Sequence, residues 1–204
     1  MGTPIPLLMV ALLLGIAIGW RVWLQRRRFG GTGLVLFRSF APLEVLRDAG
    51  LLAPAVSLIA LGAGAWWYPL ELARTGWIRE LGAPGALRAG IVLCCLAVGF
   101  IVHAQVHMGR SWRVGIEPDA KPGLVTTGPF AFCRNPIYLG MFLWHAGFTC
   151  VVPIWANAAL TLLVIAGVTI QVRHEEAYLT RTYGDAYRAY AARTGRFLPG
   201  VGRL

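Results

Sequence analysis

Carboxylates, lysine and histidine are all scarce in this chain. Nine Asp and Glu serve 204 residues, Lys121 is the single lysine beside the arginines, and there are four histidines. Charged residues make up 14% and hydrophobic ones 57%, where soluble domains carry about 25% and 45–50%. So little charge excludes an ordinary water-exposed fold and points to lipid as the surrounding solvent. His103, His107, His145 and His174 are too few for the histidine clusters of membrane di-iron oxygenases. Cys94, Cys95, Cys133 and Cys150 have no disulfide or metal-ligand spacing and read as small apolar fillers. Positive charge is missing before the first apolar run and present after it. A signal peptide has the reverse order, so a retained, N-out anchor is expected. Arginine used almost to the exclusion of lysine points to a GC-rich, bacterial coding sequence.

Long apolar runs are what the chain has instead. A helix needs roughly 20 apolar residues to cross a hydrocarbon core of about 30 Å. Five runs can be read, at residues 5–24, 51–70, 87–106, 137–152 and 153–172. The last two are contiguous and together too long for one crossing. Pro153 between them lacks an N–H and suits the first turn of a helix, so a tight helical hairpin is expected. The fold class is therefore all-α and integral to the membrane, with about five transmembrane helices. The net charge of +10 does not read as a nucleic-acid patch, because every basic residue except Arg74, Arg79 and Arg88 falls on one side of the alternating topology. That positive-inside pattern puts the N-terminus outside and the tail in the cytoplasm, in a bacterial inner membrane. Residues 1–86 form an anchor of two spans with a basic cytoplasmic loop. Residues 87–204 form a core of three spans, a cytoplasmic loop at 107–136 and a C-terminal helix at 173–199. Gly62-x-Gly64 and Gly15-x3-Gly19 suit close helix packing, which leaves room for a homodimer. Trp20, Trp23 and the Trp66-Trp67-Tyr68 cluster suit the lipid–water interface.

The polar residues concentrate in the second half. The stretch 107–136 is rich in Gly and Pro, yet Trp112, Val114, Ile116, Leu124, Val125, Phe130 and Phe132 make it too apolar for disorder; loops this long are usually functional. A second polar stretch starts at Arg173. Leu179, Tyr183, Tyr187 and Tyr190 recur at helical spacing on one face, with Arg181, Asp185 and Arg188 on the other. Gly184 marks a bend, and Gly195 and Pro199 end the helix. This segment is expected to fold back over the loop.

Three motifs in order carry a resemblance: a Leu-Val-x-x-Gly-Pro-Phe turn at 124–130, an Arg-Asn-Pro-x-Tyr at 134–138, and a Glu175-Glu176 pair followed by Gly184-x-x-Tyr187-x-x-Tyr190. Together they resemble the isoprenylcysteine carboxyl methyltransferase family of small integral membrane enzymes, and more distantly the phospholipid N-methyltransferases. The resemblance covers a little over half the chain, roughly residues 87–199. It implies S-adenosylmethionine as cofactor, held between the loop and the start of the tail helix. It also implies a lipophilic acceptor entering sideways from the membrane, methylated at oxygen (a carboxylate or phenol) or, alternatively, at nitrogen of an amine or phospholipid. Methyl transfer from a sulfonium needs alignment and exclusion of water rather than a metal.

Roles follow residue by residue. Backbone groups around Gly123, Leu124, Val125 and Gly128, with Phe130 closing the turn, suit the polar ends of the cofactor; a purely structural turn is the other reading. Glu175 and Glu176 can accept hydrogen bonds from ribose hydroxyls or the amino group, or can simply favour the helix start. Arg134, Asn135, Pro136 and Tyr138 stand where the loop re-enters the membrane, where an arginine is costly unless paired. Glu175 or Glu176 is the expected partner. Asn135 departs from the family, which more often has histidine there, and an amide cannot serve as general base. Arg173 can orient an anionic acceptor, with Glu176 beside it in a catalytic role, or it can anchor the fifth span. His103 and His107, four apart on one helix face, suit polar packing better than metal. Glu117-Pro118-Asp119 reads as an exposed turn, and Trp144 and His145 are expected at the acceptor cavity. Sterol-type reductases, which resemble this family in fold and use NADPH, are one rival; the arginine cluster a 2′-phosphate would need is not seen. A non-enzymatic accessory protein on the same scaffold is the other.

Overall fold

A computed structural model describes residues 2–36, 42–114 and 123–203. Arg38, Ile116, Glu117-Pro118-Asp119 and Lys121 lie outside the described residues.

The first helix, α1, runs Ile5–Phe29, with its middle turns, Leu13–Trp20, widened into π-helix. It stops at Gly30, whose φ of 79° supplies a left-handed cap. Helix α2 (Pro42–Trp67) is followed by the short α3 (Pro69–Arg74). Helix α4 (Pro84–Met108) begins on a proline at its first turn and tightens at its end into the 3-10 turn Gly109–Ser111. A single turn of helix, α5 (Pro129–Phe132), leads to α6 (Pro136–Val151), α7 (Trp155–Tyr183) and α8 (Asp185–Arg193).

Among the described residues, three helices are long and apolar enough to cross a membrane: Ile5–Phe29, Pro84–Ser111 and Trp155–Tyr183. Two more are apolar but shorter, Leu52–Trp67 and Pro136–Val151. The 16 residues of α6 reach about 24 Å at 1.5 Å each, less than a full hydrocarbon core. Leu96, Leu162 and Leu163 are about two-thirds exposed, as residues facing lipid are.

Small residues bring α4 and α6 together. A Cβ on Gly90 would stand 2.6 Å from the Gly147 carbonyl oxygen, and one on Gly140 would stand 2.5 Å from Ile101. Glycine at these places lets the backbones touch. Cys94, fully buried in that seam, places its thiol 3.5 Å from the Trp144 carbonyl. Trp144 stacks on Phe148 with centroids 4.8 Å apart. The core continues through Val10 and Leu58, which bring in α1 and α2. Gly62 packs against the Leu7 backbone within the chain.

The hairpin forms with two adjustments. Pro153 sits in the turn itself and α7 starts two residues later, at Trp155. Asn157 Nδ2 donates to the Phe148 and Val152 carbonyls at 3.1 and 3.0 Å, capping the end of α6. From the other loop, Ile78 N donates to Pro153 O at 2.8 Å and Trp155 N to Gly76 O at 3.0 Å. Where a boundary near residue 172 was expected, α7 continues as one helix to Tyr183. The break falls at Gly184, whose φ of 55° suits no other residue well. The tail helix thus comprises the last turns of α7 plus α8, ending at Arg193 rather than 199.

Candidate functional site

The site is built where the loop after α4, the start of α6, the end of α7 and the tail meet. Gly128 turns the chain with φ 59°, and a Cβ there would stand 2.5 Å from the His107 ring. That ring hydrogen-bonds the Thr127 hydroxyl at 2.9 Å, so His107 serves to fix the turn. Its neighbour His103 lies 6.4 Å away between ring centroids. Ser111 Oγ donates to the Gly123 carbonyl at 3.1 Å, tying the far end of the loop to the end of α4.

The tail then pairs with the loop. Arg134 N donates to Gly195 O at 2.9 Å, and Asn135 N to Arg196 O at 3.2 Å. Asn135 Nδ2 adds a bond to Arg196 O at 3.1 Å, so its amide holds the tail in place. Tyr190 donates its hydroxyl to Phe130 O at 2.6 Å. Burial pushes the Tyr190 phenol above its ordinary range and does the same to Tyr187, helped by the negative charge of Glu176.

Arg134 and Glu176 form the buried centre. Arg134 Nε and Nη2 donate to Glu176 Oε1 at 2.9 and 2.7 Å. Its Nη1 donates to the Ala191 and Thr194 carbonyls, and Nη2 also reaches Gly202 O at 2.9 Å. A guanidinium has five N–H groups, and all five of these are engaged. Arg196 closes the other side of the carboxylate, Nε and Nη2 donating to Glu176 Oε2 at 3.0 and 2.8 Å. Glu176 is therefore the partner Arg134 needed, and it is held by two arginines.

Glu175 points elsewhere. Its Oε1 accepts the Tyr138 hydroxyl at 2.7 Å and Gln171 Nε2 at 3.0 Å. It lines a cavity of about 130 Å³ that opens to solvent. Gly123, Leu124, Val125, Phe130, Arg134, Asn135, Pro136 and Tyr138 line the same cavity. Gly128 and Glu176 stand behind the wall, and Arg173 is exposed and outside it. Trp144 and His145 do not line this cavity; both are buried, Trp144 in the core shared with α4.

Sequence reasoning missed Met108, Ser111 and Ile137 as wall residues, and Arg196 as the second clamp. Leu179, Tyr187 and Tyr190 were legible as an apolar-aromatic face, and that face is what closes the cavity. Arg196 carries no local signal, since only the folded-back tail brings it to Glu176.

Comparison with known proteins gives the chain's relatives. The family model for phospholipid methyltransferase matches residues 86–186. The chain is 31% identical over 108 residues to a protein-S-isoprenylcysteine O-methyltransferase of Schizosaccharomyces pombe, covering 52% of this chain and 46% of that one. It is 31% identical over 106 residues to the nickel-cobalt-cadmium resistance protein NccN of Alcaligenes xylosoxydans xylosoxydans, covering 51% and 49%. The chain thus spans about half the length of these curated relatives. A solved eukaryotic intramembrane Ras methyltransferase, isoprenylcysteine carboxyl methyltransferase, superposes with a TM-score of 0.60 over 96% of this chain and 74% of that one. Identity there is 18%, so that likeness speaks for the fold.

Proposed function

The chain belongs to the isoprenylcysteine carboxyl methyltransferase-like family, and on that premise we propose that it transfers a methyl group from S-adenosylmethionine to a lipophilic acceptor taken from the bilayer. The supporting observation is that loop, α6 mouth and α7 close on one cavity at the end of the spans. A water-soluble donor and a membrane-borne acceptor can meet there.

The residues present fit the donor. Gly123 to Val125 offer backbone groups with little side-chain bulk, Phe130 and Leu179 offer apolar walls, and Glu175 offers a carboxylate already oriented by Tyr138 and Gln171. When bound, the sulfonium would supply an electrophilic methyl group, with its sulfur as the leaving group, a neutral thioether. Glu175 and the loop backbone bind and orient. Tyr187, Tyr190 and Leu179 exclude water from above, and the Arg134–Glu176–Arg196 clamp fixes the wall on which the other groups stand. Asn135 holds the tail and takes no proton.

Charge balance narrows the acceptor. Arg134 has no N–H left to offer, and Arg173 lies outside the cavity, so neither supplies a cation for a carboxylate. Among the described residues the lining carboxylate is Glu175. That balance favours a phenol, alcohol or amine headgroup over a carboxylate, and Glu175 is the lining group that can take the proton such an acceptor releases on methylation. The reading places the loop and tail in the cytoplasm of a bacterial inner membrane.

Thermal stability of the purified protein, titrated with S-adenosylmethionine, S-adenosylhomocysteine and NADPH, tests it. A ligand at a hundred times its Kd adds about 2.7 kcal/mol to the native state, so the adenosyl ligands raise the melting temperature by several degrees and NADPH does not. No shift with either adenosyl ligand ends this reading.

A further inference from the structure

The family match begins at residue 86, and every group assigned to the reaction so far lies beyond it. One charged side chain from the first helix nevertheless reaches the site's foundations. Arg21 of α1 is 1% exposed, whereas Arg26, Arg27 and Arg28 further along the same helix are exposed. Its Nη2 donates to the Gly109 carbonyl at 2.6 Å, and its guanidinium carbon lies 4.6 Å from the centroid of the Trp112 ring. One turn on, Gln25 Nε2 donates to the Arg110 and Trp112 carbonyls at 3.1 and 3.4 Å.

These carbonyls lie where a helix end leaves its acceptors without intrahelical partners, and a cation suits the negative end of the dipole. The chain just after α1 encloses the same turn. A Cβ on Gly33 would stand 2.8 Å from the Trp112 ring, Val114 N donates to Gly33 O at 2.8 Å and Val35 N to Val114 O at 2.9 Å. Higher in the helix, Gln105 Nε2 donates to Ala17 O at 2.8 Å, within the π-helical turns of α1. The turn held in this way borders the cavity: Met108 and Ser111 line it, and Ser111 passes the constraint to Gly123.

A membrane arginine kept only for topology is cheapest when its head reaches water. Arg21 is buried instead, with Nε and Nη1 finding no partner among the described residues, an arrangement that costs stability. We propose that Arg21 and Gln25 are positioning residues. From the first helix they fix the Gly109–Trp112 turn and, through Ser111 and Gly123, set the wall against which the methyl donor binds. The inference rests on the function proposed above and extends it to the half of the chain that the family match leaves out.

The test compares wild type with Arg21→Met, Gln25→Leu and Arg21→Lys in lipid nanodiscs. Two quantities are read: hydrogen exchange across residues 108–114, 123–128 and 173–193, and affinity for S-adenosylhomocysteine. Arg21→Met and Gln25→Leu speed exchange at 108–114 and 123–128, leave 173–193 unchanged, and weaken the ligand about tenfold, the scale of one charge-assisted hydrogen bond. Arg21→Lys, which keeps the cation, recovers part of both. Unchanged exchange in the first two segments overturns the proposal, and so does exchange that rises evenly through the fold, which marks a stability role only. A wild type that binds no S-adenosylhomocysteine removes the cofactor reading instead, and the exchange comparison then decides the coupling.

Discussion

Replacing Glu176 by glutamine keeps the side chain's size and removes one charge, which isolates the electrostatic part of the clamp. The carboxylate takes two N–H groups from Arg134 and two from Arg196, with its own side chain 6% exposed and theirs 2% and 22%. A glutamine can accept on one atom only, and must present its NH2 to the other guanidinium. Breaking a buried pair from one side costs about 3–5 kcal/mol, whereas an exposed pair is worth about 0–1. The loss is therefore dominated by Arg134. At roughly 2–4 °C per kcal/mol for a chain of this size, the melting temperature falls by about 6–20 °C. Thiol labelling on heating localises the effect: Cys133, beside Arg134, and Cys94, in the α4–α6 seam, are both buried. Cys133 should become reactive well before Cys94. A Glu176→Gln variant with an unchanged melting point, or one in which both thiols open together, would refute the clamp as a separate local unit. Exchanging the charges, Arg134→Glu with Glu176→Arg, should not rescue it, because glutamate cannot donate to the Ala191, Thr194 and Gly202 carbonyls.

Glu175→Gln should behave oppositely, with a melting temperature within about 2 °C of wild type and at least tenfold weaker S-adenosylhomocysteine binding by calorimetry; normal affinity removes Glu175 from the site. Arg173→Ala should leave binding and turnover within about twofold, since Arg173 is exposed off the cavity; a large fall in turnover alone would return it to the acceptor role that its sequence position suggested. Gly128→Ala should destabilise by about 2 kcal/mol or more, combining a strained positive φ with a clash on His107, read as an early melt. The stability that the Tyr190 bond to Phe130 lends is full below the ordinary tyrosine pKa near 10 and is lost as pH climbs through the raised value. Tyr190→Phe should cost about 1 kcal/mol at neutral pH and flatten that alkaline loss in a pH series of melts.

Much of this fold could be read from the sequence because lipid imposes a simple rule: apolar runs become helices. The helix ends were harder. Nothing local stops α7 at Arg173, since its polar residues are good helix formers, and Gly184 supplies the first real break. The need for an acidic partner at Arg134 was legible because a buried arginine must be neutralised. The choice between Glu175 and Glu176 was not, because adjacent residues on a helix point about 100° apart and only the packed tail decides which one faces the arginine. Arg21 counted among the topology-setting arginines, since burial depends on where the end of α4 comes to rest. Trp144 and His145 suggested the acceptor cavity, but both are buried away from the cavity beside the loop, Trp144 within the core that α4 and α6 share.

The unbroken length of α7 carries a consequence for how the proposed reaction depends on the host membrane. From Trp155, an exposed aromatic at one end, to Glu175 is about 30 Å of helix, the thickness of a hydrocarbon core. A helix of that length can act as a ruler, with Trp155 at one interface and the Glu175 carboxylate at the other. In bilayers of shorter acyl chains Glu175 would stand proud of the lipid, and in longer ones it would sink below the headgroups, at some cost per ångström of mismatch. Turnover measured across phosphatidylcholines of stepped chain length should therefore pass through a maximum.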